Sequence, residues 1–434
     1  MKILFITTDL IAGNLAHIMT QEGHDVKLYI HEKQQRRNFD YLVKKTKNWK
    51  KEIDWVGKDG LIVFDDVGYG KIQENLRKKG YTVFGSSFLG DRLELDREHA
   101  QDIFKKHGFK TKETKDFNNI IDAIEFVQKY PKRWVVKQNG SASKTINYVG
   151  HFKDGRDVIS LLKNYAIDKK INKERITLQE RVDGIEIAVA RAFNGTDWVG
   201  PIKLNIEHKK FFPGNIGPTT SEMGTLSWFT ENENNKLFKE TLGKLKSYLQ
   251  KANFRGEIDI NCIVNEKGAF PLESTSRFGS PIVHLHSEIQ TSPWGEFLYA
   301  VAKGIQYDLK WKKGFGVVIL VAVPPFPYAK KIQDMSDFFG LNIFFDKITP
   351  EELNHIHFEE VSRDVDNREQ LYISDTRGYV LYVTGVGKNT EESMEKTYGI
   401  IEKIIIPKKI YRNDIGLKFI TEDSKKLKEW GYLD

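Results

Sequence analysis

The stretch Gly256-Glu257-Ile258-Asp259-Ile260-Asn261-Cys262-Ile263-Val264, the turn Asn265-Glu266-Lys267-Gly268, and the return Pro271-Leu272-Glu273-Ser274-Thr275-Ser276-Arg277-Phe278-Gly279-Ser280-Pro281 decide the reading of this chain. Acids and amides alternate with Ile, Cys and Val, so the first run reads as a strand with one polar face, and the turn folds it into a hairpin. If the turn closes with Val264 opposite Gly268, residue 259 falls opposite residue 273 and both carboxylates share one face. Two facing carboxylates repel unless a cation lies between them. Magnesium takes oxygen ligands and uses one or two carboxylates together with substrate phosphates, so Asp259 and Glu273 make a candidate Mg-nucleotide platform. Pattern alone equally allows two solvated residues on the polar face of a hairpin. Arg277, four residues after Glu273, carries a planar cation suited to phosphate or carboxylate, or is an ordinary surface arginine.

Working outward, the helical periodicity of Leu237, Phe238, Leu242, Leu245, Tyr248 and Leu249 predicts one amphipathic helix over 236–252, packed on the sheet that holds the hairpin. Upstream, Trp134-Val135-Val136-Lys137 reads as a strand, with Lys137 either a snorkelling edge residue or a phosphate ligand. A loop and a second strand over 145–149 would follow, then the strand Ile176 to Glu180. At the N-terminus, strands near Ile3 to Ile6, Val26 to Ile30, Leu61 to Phe64 and Val83-Phe84 alternate with helix-length segments, the pattern of parallel βαβ units. Ligands of such units sit beyond the carboxyl ends of the strands, which directs attention to the loops after Ile6 and Phe64. A single helix is expected from Leu93 to His107. The fold class is α/β, with an α+β central region. We expect an N-terminal βαβ domain over 1–92, a central domain over 93–310 with a smaller covering subdomain at 115–185, and a mixed α/β domain over 311–434.

Lys and Arg number 67 against 60 Asp and Glu in 434 residues, and no dense basic patch or tail is visible, so a nucleic-acid partner is not expected. The longest apolar run, Phe315 to Val323, is far short of the roughly 20 residues that cross a bilayer. Asp9 interrupts the first apolar stretch before a signal core forms. The one cysteine, Cys262, excludes a disulfide framework and fits a reducing compartment. We therefore expect a cytoplasmic protein, monomer or homodimer, without membrane association.

Several segments, taken in order, resemble the signatures of the ATP-grasp ligases. They are Leu93-Glu94-Leu95-Asp96-Arg97, Val135-Val136-Lys137, Gln179-Glu180-Arg181-Val182-Asp183-Gly184-Ile185-Glu186, and Glu273 to Pro281. Glu207-His208-Lys209-Lys210, Gly217-Pro218-Thr219-Thr220-Ser221-Glu222-Met223-Gly224 and Tyr411-Arg412-Asn413-Asp414-Ile415-Gly416 are similar to D-H-K-R, G-P-N-T-G-G-M-G and Y-R-T-D-I-G of the phosphoribosylamine–glycine ligase family. The resemblance implies a ligase of purine biosynthesis type. It would bind ATP and Mg2+, with Mn2+ as a substitute, and join a small-molecule carboxylate to an amine through an acyl phosphate. On the same resemblance Lys137 and Arg97 contact phosphates, Ser143 and Lys144 belong to the loop over them, Gln179, Glu180 and Val182 meet adenine, and Glu186 accepts from the ribose. Asp259, Glu273 and Thr275 hold metal, Arg277 is catalytic, and Asp66, Gly217, Pro218, Thr219, Thr220 and Ser280 line the substrate.

The departures from that family are also informative. The N-terminal G-G-R-E-H loop, which serves the phosphoribosylamine side, is replaced by Thr8 to Asn14. Asp65-Asp66-Val67-Gly68 replaces G-P-E-A-P. A-G-K-G becomes Ala142-Ser143-Lys144-Thr145, and Thr275 replaces the metal-binding Asn. Ser280 and Ile282 stand in place of two acids, so a glycine ammonium would lose favourable charge and a larger or less polar acid is expected. A divergent ligase with a different acid and amine, and a nucleotide-binding protein without ligation, are the alternative readings.

Overall fold

The computed structural model describes residues 1–138, 147–167, 175–328, 338–367 and 369–433. Four strands, β1 (Lys2–Thr7), β2 (Asp25–Ile30), β3 (Leu61–Phe64) and β4 (Thr82–Phe84), form a wholly parallel sheet in the order β2-β1-β3-β4. Every residue of β3 is buried, as expected of a parallel strand covered on both faces. The order places the carboxyl ends of β1 and β3 side by side, and the loops that leave them carry Asp9 and Asp66.

The smaller sheet contains β5 (Thr114–Phe117), β6 (Trp134–Gln138), β7 (Tyr148–Val149) and β8 (Ile176–Glu180), antiparallel in the order β5-β8-β6-β7. Its core, built on Trp134, Val136, Leu178 and Ile120, is separate from the main one. The expected strand over 145–149 is present only as Tyr148–Val149 within the described residues, and the loop bearing Ser143 and Lys144 lies outside them.

The remaining strands follow as β9 (Ile185–Asn194), β10 (Trp198–Glu207), β11 (Lys210–Phe212), β12 (Ile216–Thr219), β13 (Gly224–Thr230), β14 (Arg255–Asn265), β15 (Gly268–Thr275), β16 (Phe315–Ala322), β17 (Asn342–Phe345), β18 (Ile356–Phe358), β19 (Val361–Arg363), β20 (Leu371–Ile373), β21 (Tyr379–Gly387) and β22 (Ile404–Ile405). An eight-stranded antiparallel sheet runs β15-β14-β9-β10-β13-β16-β21-β18. The boundary expected near 310 does not interrupt this sheet, because β16, β18 and β21 from the last third of the chain extend it beside β13. A four-stranded sheet, β19-β20-β17-β22, and an antiparallel pair, β11-β12, complete the set.

Two expected helices are broken. The segment 93–107 divides into helices Phe88–Leu95 and Arg97–Lys106, because Asp96 leaves helical geometry and its carboxylate accepts from the His99 N–H at 3.0 Å as an N-cap. The segment 236–252 divides into Lys236–Glu240, a 3-10 turn at Leu242–Leu245 and Lys246–Lys251. The buried Thr241 hydroxyl donates to Leu237 C=O, the local alternative that a hydroxyl side chain offers to a continuous helix. The parallel sheet meets the central one where Gly85 N–H donates to Arg255 C=O at 2.8 Å. Gly256 permits that approach, since a Cβ there would lie 3.0 Å from the Gly85 carbonyl oxygen. Among the described residues no helix is long and apolar enough to cross a membrane.

Candidate active site

The hairpin β14-β15 is where the structure corrects the sequence reading. Asn265, not Val264, pairs with Gly268, and a bulge between Asn261 and Cys262 shifts the register further. Asp259 therefore lies opposite Thr275, and Glu273 opposite Asn261. Because the period is two, all four side chains still share a face, with the carboxylates diagonal to one another instead of directly opposed. Together they line a cavity of about 330 Å³.

Glu207, at the end of β10, brings a third carboxylate to this face. Its Oε2 accepts from Asn261 Nδ2 at 3.0 Å, and Glu186 Oε1 accepts from the same amide at 3.1 Å. Lys209 is the cation of the group, 2.7 Å from Glu186, 3.0 Å from Glu207 and 3.7 Å from Glu273. Burial alone would lower the Lys209 ammonium, but Glu207, Glu186 and Glu273 outweigh it and hold its pKa well above the usual lysine value. Asp259 and Glu222 are raised well above ordinary carboxylates by burial and then by Glu207. Glu222 Oε1 and Asn261 Oδ1 are buried without a hydrogen-bond partner. Oxygen donors short of partners beside acids that resist ionisation are what a site for a hard cation presents before it binds. No three His, Cys, Asp or Glu side chains converge as a complete cage among the described residues. A magnesium ion that completes its shell with substrate phosphates needs none.

On the same face Glu257, two residues before Asp259, lines the cavity too; it receives Lys203 Nζ at 2.6 Å and lies 3.2 Å from His286 Nδ1. All three are almost fully buried. Burial would raise the Glu257 carboxyl, but Lys203 and His286 reverse this and bring it down to about 2.

A second cavity, of about 450 Å³, adjoins the first where Leu272 lines one and Glu273 the other. Lys137, Gln179, Glu180, Val182 and Glu186 all line it, with apolar walls from Val135, Ile263 and Phe270. It is a slot between the two antiparallel sheets, with apolar walls and the Lys137 cation among its lining, a form that suits a purine with its phosphates. The Glu180 side chain is tied to Lys112 at 3.2 Å and Lys132 at 3.0 Å, and Lys112 lines the slot beside it. Burial and the Arg97 guanidinium push Lys137 down to about 7. Arg97 donates to Leu272 C=O at 3.4 Å and lies 4.0 Å from Glu273.

Arg277 lines the acidic cavity, as expected of a residue acting there, and is already clasped. Its Nε lies 3.0 Å from Glu94 and 3.5 Å from Asp66, and Glu94 also accepts from Ser276 N–H at 2.8 Å. Thus Asp66 and Arg277 are brought together, and Ser280 lines the same cavity. Gly217, Pro218, Thr219 and Thr220 do not reach it. They belong to the β11-β12 hairpin, where Thr220 Oγ1 donates to Lys209 C=O at 2.9 Å, and Ser221 and Glu222 are the members of that segment that line the cavity. The hairpin is fixed by Arg412, which donates to Lys210 C=O and Asn215 Oδ1, each at 2.9 Å, and pairs with Asp414 at 2.7 Å.

The far wall was not foreseen. Asp9, Glu359, Arg377, Tyr379 and Tyr382 line it, from the loop after β1 and from the region of β18 and β21. The expectation that losing acids at 280 and 282 leaves this half poor in negative charge is therefore wrong. Asp9 and Glu359 restore the charge from segments remote in sequence. The βαβ pattern pointed to the loop that carries Asp9 without singling that residue out, and no local signal marks Glu359, which is set in place by the junction of two sheets.

A slot between two antiparallel sheets, joined to a carboxylate-rich cavity with a clasped arginine, is an arrangement that can hold a nucleotide with its phosphates toward a metal-binding face. Residues 95–283 match the family described as phosphoribosylglycinamide synthetase, ATP-grasp (A) domain, and most of the chain is similar in sequence to phosphoribosylamine–glycine ligases. It is 26% identical over 356 residues to that ligase from Clostridium acetobutylicum, covering 80% of this chain and 81% of the relative. The crystal structure of the phosphoribosylamine–glycine ligase from Thermotoga maritima superposes with a TM-score of 0.70 at 20% identity, covering 96% of this chain and all of that one. The biotin carboxylase of Campylobacter jejuni, in its βγ-ATP complex, shares the fold at a TM-score of 0.63 and 11% identity, covering 99% of this chain and 98% of that one.

Proposed function

We propose that this chain is an ATP- and magnesium-dependent carboxylate–amine ligase that activates an acid as an acyl phosphate and releases ADP and phosphate when an amine attacks. The observation that carries the reading is the junction of the slot, lined by Lys137, Gln179, Glu180, Val182 and Glu186, with the face bearing Asp259, Asn261, Glu273 and Thr275. The first fits a nucleotide, and the second supplies oxygen donors where its phosphates would end. Magnesium, held by Glu273 and Asp259 with Asn261 and Thr275 nearby, would neutralise phosphate charge as it develops.

The chain's own residues perform the rest. Lys137 and Arg97 place positive charge on the phosphates from the slot side. Lys209, kept charged by three carboxylates, and Arg277, held by Glu94 and Asp66, fix cations on the opposite side of the transferring group, preorganised before substrate arrives. Retention of Lys137, Asp259, Glu273 and Arg277 argues against a nucleotide-binding protein without ligation, which has no need of all four. Division of the chain near 92, with the strands after 310 continuing the central sheet, a monomeric or dimeric state and a cytoplasmic setting belong with this reading. The test is hydroxylamine trapping. With MgATP and a panel of amino acids, the protein should form a hydroxamate in step with ADP. ADP release without any hydroxamate from any acid would contradict the acyl phosphate.

A further inference from the structure

Among the described residues three cations line the acidic cavity, and each is already matched by at least two carboxylates. Lys209 has Glu186, Glu207 and Glu273. Arg277 has Glu94 and Asp66. Arg377 lies 2.8 Å from Glu360 and 3.4 Å from Glu359 Oε1. Against these three cations the described lining contains seven carboxylates. Two of them, on the wall away from the metal-facing residues, have a buried oxygen that makes no hydrogen bond of ordinary geometry, Oδ1 of Asp9 and Oε2 of Glu359, although the Tyr382 hydroxyl lies close enough to the Glu359 carboxylate to favour its ionised form. Glu359 is 7% exposed. Tyr379 and Tyr382 complete the wall, and aromatic faces favour cations.

Resting on the ligase reading, we infer that this half of the site recognises a cationic ammonium group, held between Asp9 and Glu359, and rejects a phosphate ester. A phosphate dianion placed here would meet two carboxylates and would have to take its counter-charge from arginines that are already paired. An ammonium would satisfy both buried oxygens by charge-assisted hydrogen bonds. The group held in this way stays protonated and so cannot be the attacking amine, which must be neutral. It is either the α-ammonium of an amino acid whose carboxylate is activated, or the second ammonium of a diamine whose other nitrogen attacks.

The test is calorimetry in two stages. Titration with Mg·AMP-PNP examines the ligase reading by itself, and its failure would overturn that reading without touching the second stage. Glycine, 1,4-diaminobutane and ribose 5-phosphate are then titrated in turn. Binding of glycine identifies the amino-acid source, and binding of the diamine identifies the other. Because burial holds Glu359 up at about 7, with Arg377 lowering it, a cation beside it at pH 7 should expel a proton, seen as a heat that varies with buffer ionisation enthalpy. Asp9→Asn and Glu359→Gln should each weaken the cation at least tenfold while leaving AMP-PNP affinity within about twofold. The inference is overturned if ribose 5-phosphate binds more tightly than both cations, if neither cation binds, or if both variants bind the cation as the wild type does.

Discussion

Lys137 allows a sharp test of how the slot binds nucleotide, because its ammonium is held at about 7 by burial and by Arg97. A triphosphate beside it reverses both penalties, so nucleotide binding should draw a proton onto Lys137 above pH 7. Each pH unit above that pKa then costs up to 1.4 kcal/mol of binding. By pH 9 about 1% of the lysine is charged before binding, which sets a ceiling of about 2.7 kcal/mol, or about a hundredfold. A charge-assisted hydrogen bond, worth roughly 1.5 to 3 kcal/mol, limits the loss to a similar size. We therefore expect MgATP affinity to fall between tenfold and about a hundredfold from pH 6.5 to pH 9. Lys137→Ala should bind more weakly at pH 6.5, follow a nearly flat curve, and approach the wild type at pH 9. Lys209 does not confound this, since its three carboxylates keep it charged throughout. The assay is calorimetry in two buffers of different ionisation enthalpy, which also counts the proton taken up. Parallel curves for wild type and Lys137→Ala, or no proton uptake at pH 8, would refute the reasoning.

Other expectations follow from the site and its supports. Glu273→Gln keeps shape but removes a metal-facing charge, so ADP release should drop at least a hundredfold while the thermal midpoint moves only a few degrees; an unchanged turnover would remove Glu273 from the metal face. Glu257→Gln leaves the buried Lys203 ammonium without its partner and should cost about 3 to 5 kcal/mol in denaturant unfolding, a value that a loss below 1 kcal/mol would contradict. Since Glu257 is depressed to about 2 in the folded chain, its stabilisation is complete above the unfolded carboxyl value near 4.5 and is lost as pH falls from there toward 2. The acid arm of the wild-type stability curve should be steeper in that window than that of Glu257→Gln. Arg412→Lys cannot reproduce the forked contacts to Asp414, Lys210 and Asn215, so limited proteolysis should cut faster within 210–219; equal rates would show that the hairpin is held by other means.

How much of this could be read in the sequence depends on whether the information is local. The β14-β15 hairpin was legible because alternation and turn residues are local, and the shared face of Asp259 and Glu273 survived an error in register because the bulge at Asn261/Cys262 kept both on the same side. The bulge itself has no sequence signal here, since neither residue is a glycine. The break at Asp96 was legible in principle, as an N-cap aspartate three residues before His99, yet the apolar spacing on both sides read as continuous. The slot residues could be named from ordered motifs, and the structure gathers them at one cavity. Gly217 to Thr220 resembled a substrate loop but fold outward as a hairpin, leaving Ser221 and Glu222 to face the site. The loop that carries Asp9 was indicated by the βαβ pattern, but its partners Glu359 and Arg377 could not be found from pattern. Their meeting depends on the packing of the first loop against strands more than 340 residues later, and that is a property of the tertiary fold alone.

The most direct test of the central claim is the fate of oxygen from the acid. With an amino acid labelled with 18O in its carboxylate, MgATP and an amine acceptor, an acyl phosphate route moves one labelled oxygen into inorganic phosphate for each ADP formed, because the carboxylate oxygen attacks the γ-phosphorus and leaves with it. Mass spectrometry of the phosphate should show that single transfer in proportion to product. Phosphate carrying only unlabelled oxygen, with ADP still accumulating, would mean that water takes the phosphoryl group and that the chain is not a ligase of this kind.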